Sequence, residues 1–243
     1  MKTVIISQAR MTSTRLPGKI LKEVLGKPLL EYQLERLRRV ANADAVVIAT
    51  TVNPADDPVA ELCGRLGAPC FRGPENDVLA RYYHAAREHG ADTVVRVTSD
   101  CPLIDPAVVA AVIGKFKREP RQFDYVANVL VRTYPRGMDT EVFSMQALAE
   151  AHREATLPAH REHVTPFIHS QPARYRLSNV ENDTDCSRYR WTVDTPEDFD
   201  LISKIIAAVW PARPEFTLAD CLTAYRDHPE WLAINSHIEQ KKV

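Results

Sequence analysis

Residues 3–19, TVIISQARMTSTRLPGK, run a short β-branched segment straight into a basic loop. TVIISQ (3–8) reads as a strand. The next residues carry Arg10, Arg15 and Lys19, with Pro17 and Gly18 to turn the chain. Open α/β sheets bind ligands at the carboxyl ends of their strands, and this loop lies at one. Arginine and lysine clamp phosphates, and small residues let backbone N–H groups approach them. The loop is not a Walker A motif, because Ile20 stands where Ser or Thr must follow Gly-Lys. Nor is it a dinucleotide fingerprint, because Gly18 is its only glycine. Charge and position alone leave two readings open: a phosphate clamp and a solvated basic turn.

Outward from this loop, strand-like and helix-like patterns alternate. Residues 28–41 place Leu30, Leu34, Leu37 and Ala41 on one helical face, and AVVIAT (45–50) reads as a buried strand. Helices are expected over 57–66 and over 77–89, the second from an Asp cap to Gly90, with a short strand at 69–72 between them. TVVRVT (93–98) is the next strand and 106–117 the next helix, with Pro106 suited to its first turn. Near-continuous Val/Ile strands alternating with helices predict an α/β fold: a Rossmann-like three-layer α/β/α architecture with a mostly parallel sheet. After residue 120 the pattern loosens. FDYVANVLV, TEVFS, ARYRLSNV and RYRWTVD read as strands, with helices near 144–154, 160–170, 196–209 and 217–227. We expect a single domain over 1–243, with a mixed α+β extension over 120–190.

The bulk composition narrows the function. The chain has 243 residues, 45% of them hydrophobic, enough for one sizeable core. Its 31 Lys+Arg against 32 Asp+Glu give a formal net charge of −1, which argues against a nucleic-acid partner. The five cysteines form no CxxC pair and no zinc-finger spacing. An odd count in a chain of this size points to reduced thiols and a cytoplasmic protein, with Cys101 as small buried filler. MKTVIISQAR lacks the pattern of a signal peptide, and no stretch reaches the apolar length of a membrane span.

Three further places carry candidate chemistry. Asp100 follows the strand 93–98 directly and so reaches the same sheet edge as the first loop. A hard carboxylate there can hold Mg²⁺ against triphosphate oxygens. The alternative is a cap or turn residue, a role that Asp105, next to Pro106, fills better. Asp194 ends the apolar run RYRWTVD, while Thr195 before Pro196, Glu197 and Asp198 makes a capping pattern, with Glu197 and Asp198 read as first-turn dipole residues. PRGMDTEVF adds Arg136, Asp139 and Glu141. Two carboxylates at i, i+2 on a strand share a face, as a polar substrate wall or as ordinary exposed residues. His160, Arg161, His163 and Arg174 are candidate anion contacts, or ordinary satisfied or exposed side chains.

QARMTSTRLPGK resembles the signature loop of the cytidylyltransferase family that includes CMP-acylneuraminate and CMP-Kdo synthetases. The closer likeness is to its branch of spore-coat polysaccharide biosynthesis F-type proteins. The resemblance covers nearly the whole chain, through SDCPLID (99–105), DVLARYY (77–83), GMDTEVF (137–143), REHVTPFI (161–168) and WTVDTPEDF (191–199). It implies a nucleotide-diphospho-sugar transferase type of sheet and transfer of CMP from CTP to an acidic sugar, with pyrophosphate released, for surface polysaccharide biosynthesis. Carried over by position, Gln8, Ala9, Arg10, Ser13, Arg15 and Lys19 bind the nucleotide, with Ala49, Thr50 and Arg72 near the nucleoside. Arg15, Lys19 and Asp100 are the catalytic set, and Asp100 and Asp194 the Mg²⁺ ligands. Asp139, Glu141 and His163 face the acceptor, and a homodimer is a further expectation. Two other readings remain: a sugar-1-phosphate nucleotidyltransferase or nucleotide-sugar glycosyltransferase, and a non-catalytic nucleotide-binding protein.

Overall fold

The apolar runs pair into one seven-stranded sheet in the computed structural model, which describes residues 1–118 and 122–239. The expected start of the extension, residue 120, lies outside the described residues. The elements follow in the order β1 (Thr3–Gln8), β2 (Glu23–Val24), β3 (Lys27–Pro28), α1 (Leu29–Leu37), β4 (Ala45–Thr51), α2 (Asp57–Arg65), β5 (Cys70–Gly73), α3 (Val78–Glu88), β6 (Thr93–Thr98) and α4 (Pro106–Arg118). The second half adds β7 (Tyr125–Ala127), β8 (Glu141–Ser144), α5 (Met145–Glu154), α6 (Pro158–His163), α7 (Pro166–His169), β9 (Leu177–Asn179), α8 (Pro196–Val209), α9 (Leu218–Asp227) and α10 (Leu232–Asn235).

The sheet order is β5-β4-β1-β6-β8-β7-β9, and β2 and β3 form a separate two-stranded ladder. Among the described strands of the seven-stranded sheet only β8 runs against its neighbours; the pairs β1–β4, β1–β6, β4–β5 and β7–β9 are parallel. The chain leaves β1 toward β4 and β5 on one side and returns to β6 on the other. The order therefore reverses between β1 and β6, the point at which a crevice opens beyond the strand ends. Gln8 and Thr98 are paired there across the sheet.

Continuous apolar runs follow from burial on both faces. Val4 and Ile6 pack under α3 and α5 with Val47, Val94 and Phe143, whereas Ile5 faces α4 with Val95 and Val142. Ile48 meets α1 and α2. Beyond α1, the last helices close a fourth cluster around Trp191, Ile202, Ile205 and Phe216. Among the described residues no helix is long and apolar enough to cross a membrane.

The second half departs from expectation in four places. The helix expected near 160–170 is broken into α6 and α7 around Val164, and ARYRLSNV is a strand only at Leu177–Asn179. FDYVANVLV forms a strand only at Tyr125–Ala127; Leu130 and Val131 are exposed and outside it. RYRWTVD starts in a turn and, among the described residues, joins no ladder beyond a single parallel bridge, Arg136 to Arg190. Its period-2 pattern is real, but its inner face packs on helices and loops rather than on a neighbouring strand.

Candidate active site

Gly18 decides where Lys19 points. Its φ of 68° is a left-handed conformation that costs glycine nothing, and it starts the single helical turn Lys19–Leu21. The loop closes on itself through Gly18 N–H to Met11 O (3.0 Å). It is fastened to the sheet by Ala9 N–H to Ala49 O (3.0 Å) and by Met11 N–H to the buried carboxylate of Asp56 (2.6 Å), which also accepts from the Thr51 hydroxyl. Lys19 is thereby turned inward and buried, although it belongs to a basic loop.

Its ammonium sits between two carboxylates. Lys19 Nζ donates to Asp100 Oδ2 and to Asp194 Oδ1, each at 2.8 Å, across 81 and 175 residues of sequence. Burial lowers the lysine pKa, but Asp100 and Asp194 outweigh it and raise it above its ordinary value. Burial likewise pushes Asp100 up, and Lys19 more than offsets this, holding it below the usual carboxylate range. Arg15 reaches Asp194 from the loop (3.0 Å). The fully buried Gln33 accepts from the Ser7 hydroxyl (2.7 Å) and donates to Thr98 O (2.6 Å), tying the ends of β1 and β6.

A second layer aims Asp194. Arg190 Nη2 donates to Asp194 Oδ2 (2.9 Å), and Arg190 also pairs with both oxygens of Asp198 (2.9 and 3.0 Å). Asp198 is fully buried. It accepts from the Asp194 and Thr195 backbone N–H groups and from Asn235 Nδ2 (2.8 Å), while Thr195 forms the expected capping box with it. Asp198 is thus more than the first-turn dipole residue expected of it. Arg190, two positions before Thr192 and four before Asp194, shares their strand face, a signal the sequence carried.

The remaining predicted residues divide. Gln8, Ala49, Thr50 and Arg72 all lie at the carboxyl ends of β1, β4 and β5, and Arg10 and Ser13 lie in the loop beside them. Arg10 is exposed, with no ion pair among the described residues. Arg72 is committed to the turn between β4 and α2, donating to Thr51 O and Asn53 O and pairing with Asp57 (2.7 Å). Asp139 precedes β8 and takes a two-point pair from Arg132 (2.6 and 2.8 Å).

Glu141 corrects an expectation. It is buried, and its carboxylate is taken up by Arg96, the Tyr125 hydroxyl (2.6 Å) and the Thr165 hydroxyl (2.6 Å). Strand alternation put it on one side with Asp139, but Asp139 is outside the strand and Glu141 faces the core, so Glu141 does not line a substrate wall. His163 ends α6, which packs on α3. Arg161 is held by Asp77 and His152 O, and Arg174 by Glu150 and Glu154. Cys101 is buried beside Asp100, and burial pushes its thiol well up, as suits filler.

Gly137 locks the Asp139 loop onto the Asp194 segment. Its φ is 103°, and a Cβ there would lie 2.6 Å from Trp191 O. Gly137→Ala is expected to destabilise the fold by about 2 kcal/mol, from backbone strain together with that clash. Urea unfolding measures it, and an unchanged midpoint would contradict the assigned packing.

Two carboxylates on one cation suit a hard metal that fills its shell with phosphate oxygens and water, as Mg²⁺ does. The described residues hold no larger group of His, Cys, Asp and Glu that could bind a metal without a ligand's help. Arg15, Lys19 and Arg10 at a sheet switch point, beside two acidic strand ends, can hold a nucleoside triphosphate and neutralise its charge.

Known proteins carry the same arrangement of chain. The spore coat polysaccharide biosynthesis protein SpsF of Bacillus subtilis is 31% identical over 234 residues, 93% of this chain and 95% of its own. The structure of a cytidylyltransferase from Leptospira borgpetersenii superposes with a TM-score of 0.92 at 32% identity, covering 100% of both chains. The structure of CMP:2-keto-3-deoxy-manno-octonic acid synthetase complexed with CTP has a TM-score of 0.68 over 86% of this chain and 99% of that one. At 19% identity it bears on the fold alone. The cytidylyltransferase sequence profile matches residues 4–225, a span that includes the basic loop, Asp100 and Asp194, and the chain belongs to the cytidylyltransferase family.

Proposed function

We propose that this protein transfers CMP from CTP to a hydroxyl of an acidic sugar, a nonulosonic or octulosonic acid, releasing pyrophosphate for surface polysaccharide synthesis. The observation that carries the reading is the Lys19 ammonium suspended between Asp100 and Asp194 at the switch point, with Arg15 on the same carboxylate. The family membership supports the nucleotidyl transfer, and the likeness to SpsF supports the polysaccharide setting.

The chemistry follows from charge. The acceptor hydroxyl gives up its proton to solvent as its oxygen attacks the α-phosphorus, the bond from that phosphorus to the bridging β-phosphate oxygen breaks, and negative charge moves onto pyrophosphate. In this reading Lys19 and Arg15 neutralise that charge, and positioning of the two substrates supplies much of the remaining acceleration. Asp100 and Asp194 would hold Mg²⁺, which when bound adds neutralisation of the triphosphate oxygens. Arg190 and Asp198 keep Asp194 aimed at the site. Asp139, fixed by Arg132, is left to accept a hydrogen bond from an acceptor hydroxyl.

A pyrophosphate-release assay with CTP, Mg²⁺ and a panel of nonulosonic and octulosonic acids tests this reading. Asp100→Asn keeps the shape but loses the charge, and its turnover is expected to fall by about 100-fold. Full activity in this variant would sink the site assignment. The proposal includes a homodimer through the 120–190 stretch, where Leu130 and Val131 are exposed; a monomer mass in light scattering would remove it.

A further inference from the structure

Five cations surround Asp100, Asp139 and Asp194, and four of them are committed. Arg15 and Lys19 hold Asp194 and Asp100, Arg190 holds Asp194 and Asp198, and Arg132 grips Asp139 with both arms of its fork. Arg136 is the exception. Among the described residues its guanidinium has no hydrogen bond and no ion pair, although Asp139 and Asp194 are near enough to act on it electrostatically.

Its backbone is firmly placed. Arg136 N–H donates to Tyr189 O (3.0 Å), and Trp191 N–H donates to Arg136 O (2.7 Å). The parallel bridge to Arg190 puts the two arginine side chains on the same side, and Gly137 packs directly against Trp191. The base of the side chain is thus rigid while its head is uncommitted. The head is half-buried, and burial pulls its pKa down, with Arg132 and Arg190 adding to the effect. A guanidinium crowded by two others, with no carboxylate of its own, is unfavourable unless an anion from outside completes the set.

Position says which anion. The cations of the 8–19 loop serve the triphosphate, whereas Arg136 belongs to the segment that carries Asp139 and packs on Trp191. A planar fork matches a planar oxyanion through two parallel hydrogen bonds. We propose that Arg136 is a specificity-determining residue that takes the carboxylate of the acceptor sugar in a two-point ion pair. This rests on the acidic-sugar reading above and assigns that acid's recognition to one side chain.

The test compares the wild type with Arg136→Gln and Arg136→Lys, using CTP and the same panel of acids, including 3-deoxy-manno-octulosonic and N-acetylneuraminic acids, plus their C1 methyl esters. On the acid the wild type uses, Arg136→Gln is expected to raise the acceptor KM by about 30-fold, with the KM for CTP unchanged. Arg136→Lys falls between the two, since an ammonium supplies charge without the fork. The methyl ester is expected to be a poor acceptor that wild type and Arg136→Gln use equally. An unchanged acceptor KM in Arg136→Gln overturns the role of Arg136 and leaves the acidic-sugar reading standing. So does a shift confined to the KM for CTP. A wild type that releases pyrophosphate with none of the acids overturns the acidic-sugar reading and this inference with it.

Discussion

Lys19→Ala is expected to lower pyrophosphate release from CTP by about 1,000-fold, the upper end of what removing one preorganised donor costs. Among the described residues, Lys19 is the only side chain that bonds both strand-end aspartates, and no other cation of the loop is buried. Its removal subtracts a fixed positive charge from the place where the leaving pyrophosphate gathers negative charge. It also leaves Asp100 and Asp194 facing each other without their shared cation, so Mg²⁺ alone is expected to raise the melting temperature of the variant more than that of the wild type. The ammonium has a raised pKa, so its contribution is complete below the ordinary value of 10.5 and is lost only as pH rises through the higher folded value. No loss from Lys19 itself is therefore expected in the neutral range. A folded Lys19→Ala protein with wild-type turnover would refute the catalytic assignment.

Asp198→Ala is expected to be the most destabilising of these substitutions, by about 3–5 kcal/mol, because it leaves the buried Arg190 charge half-paired. The same change removes the capping box of α8 and the acceptor for the Asp194 and Thr195 amides. Burial raises the Asp198 pKa, but hydrogen bonds from Arg190 and Asn235 outweigh this and hold it below the usual range. A depressed carboxylate contributes stability above its unfolded value and loses it as pH falls through the folded one. The gap between wild type and Asp198→Ala should therefore narrow in acid. Urea titrations across pH measure it, and a gap under about 1 kcal/mol at neutral pH would refute the buried-pair account. Turnover should fall as well, since Arg190 no longer holds Asp194 in place.

The strands β1, β4 and β6 were legible because burial on both faces demands unbroken Val/Ile runs, and the Thr195 cap because its donors and acceptors are local. β7 was over-read: Leu130 and Val131 continue the apolar pattern past the point where pairing stops. Glu141 was misread for a related reason. Alternation assigns a residue to a face but does not say whether that face meets solvent or an arginine such as Arg96.

By itself, the sequence determined the α/β alternation, the basic loop after the first strand and the acidic residues at later strand ends, since each depends on neighbours a few positions away. The tertiary structure alone decided that Lys19 bridges Asp100 and Asp194, that Arg190 and Asp198 aim the second aspartate, and that Arg136 has no partner among the described residues. The physical reason is range. A charge takes its role from whichever charges the fold brings within a few ångströms, and here those lie as many as 175 residues away along the chain.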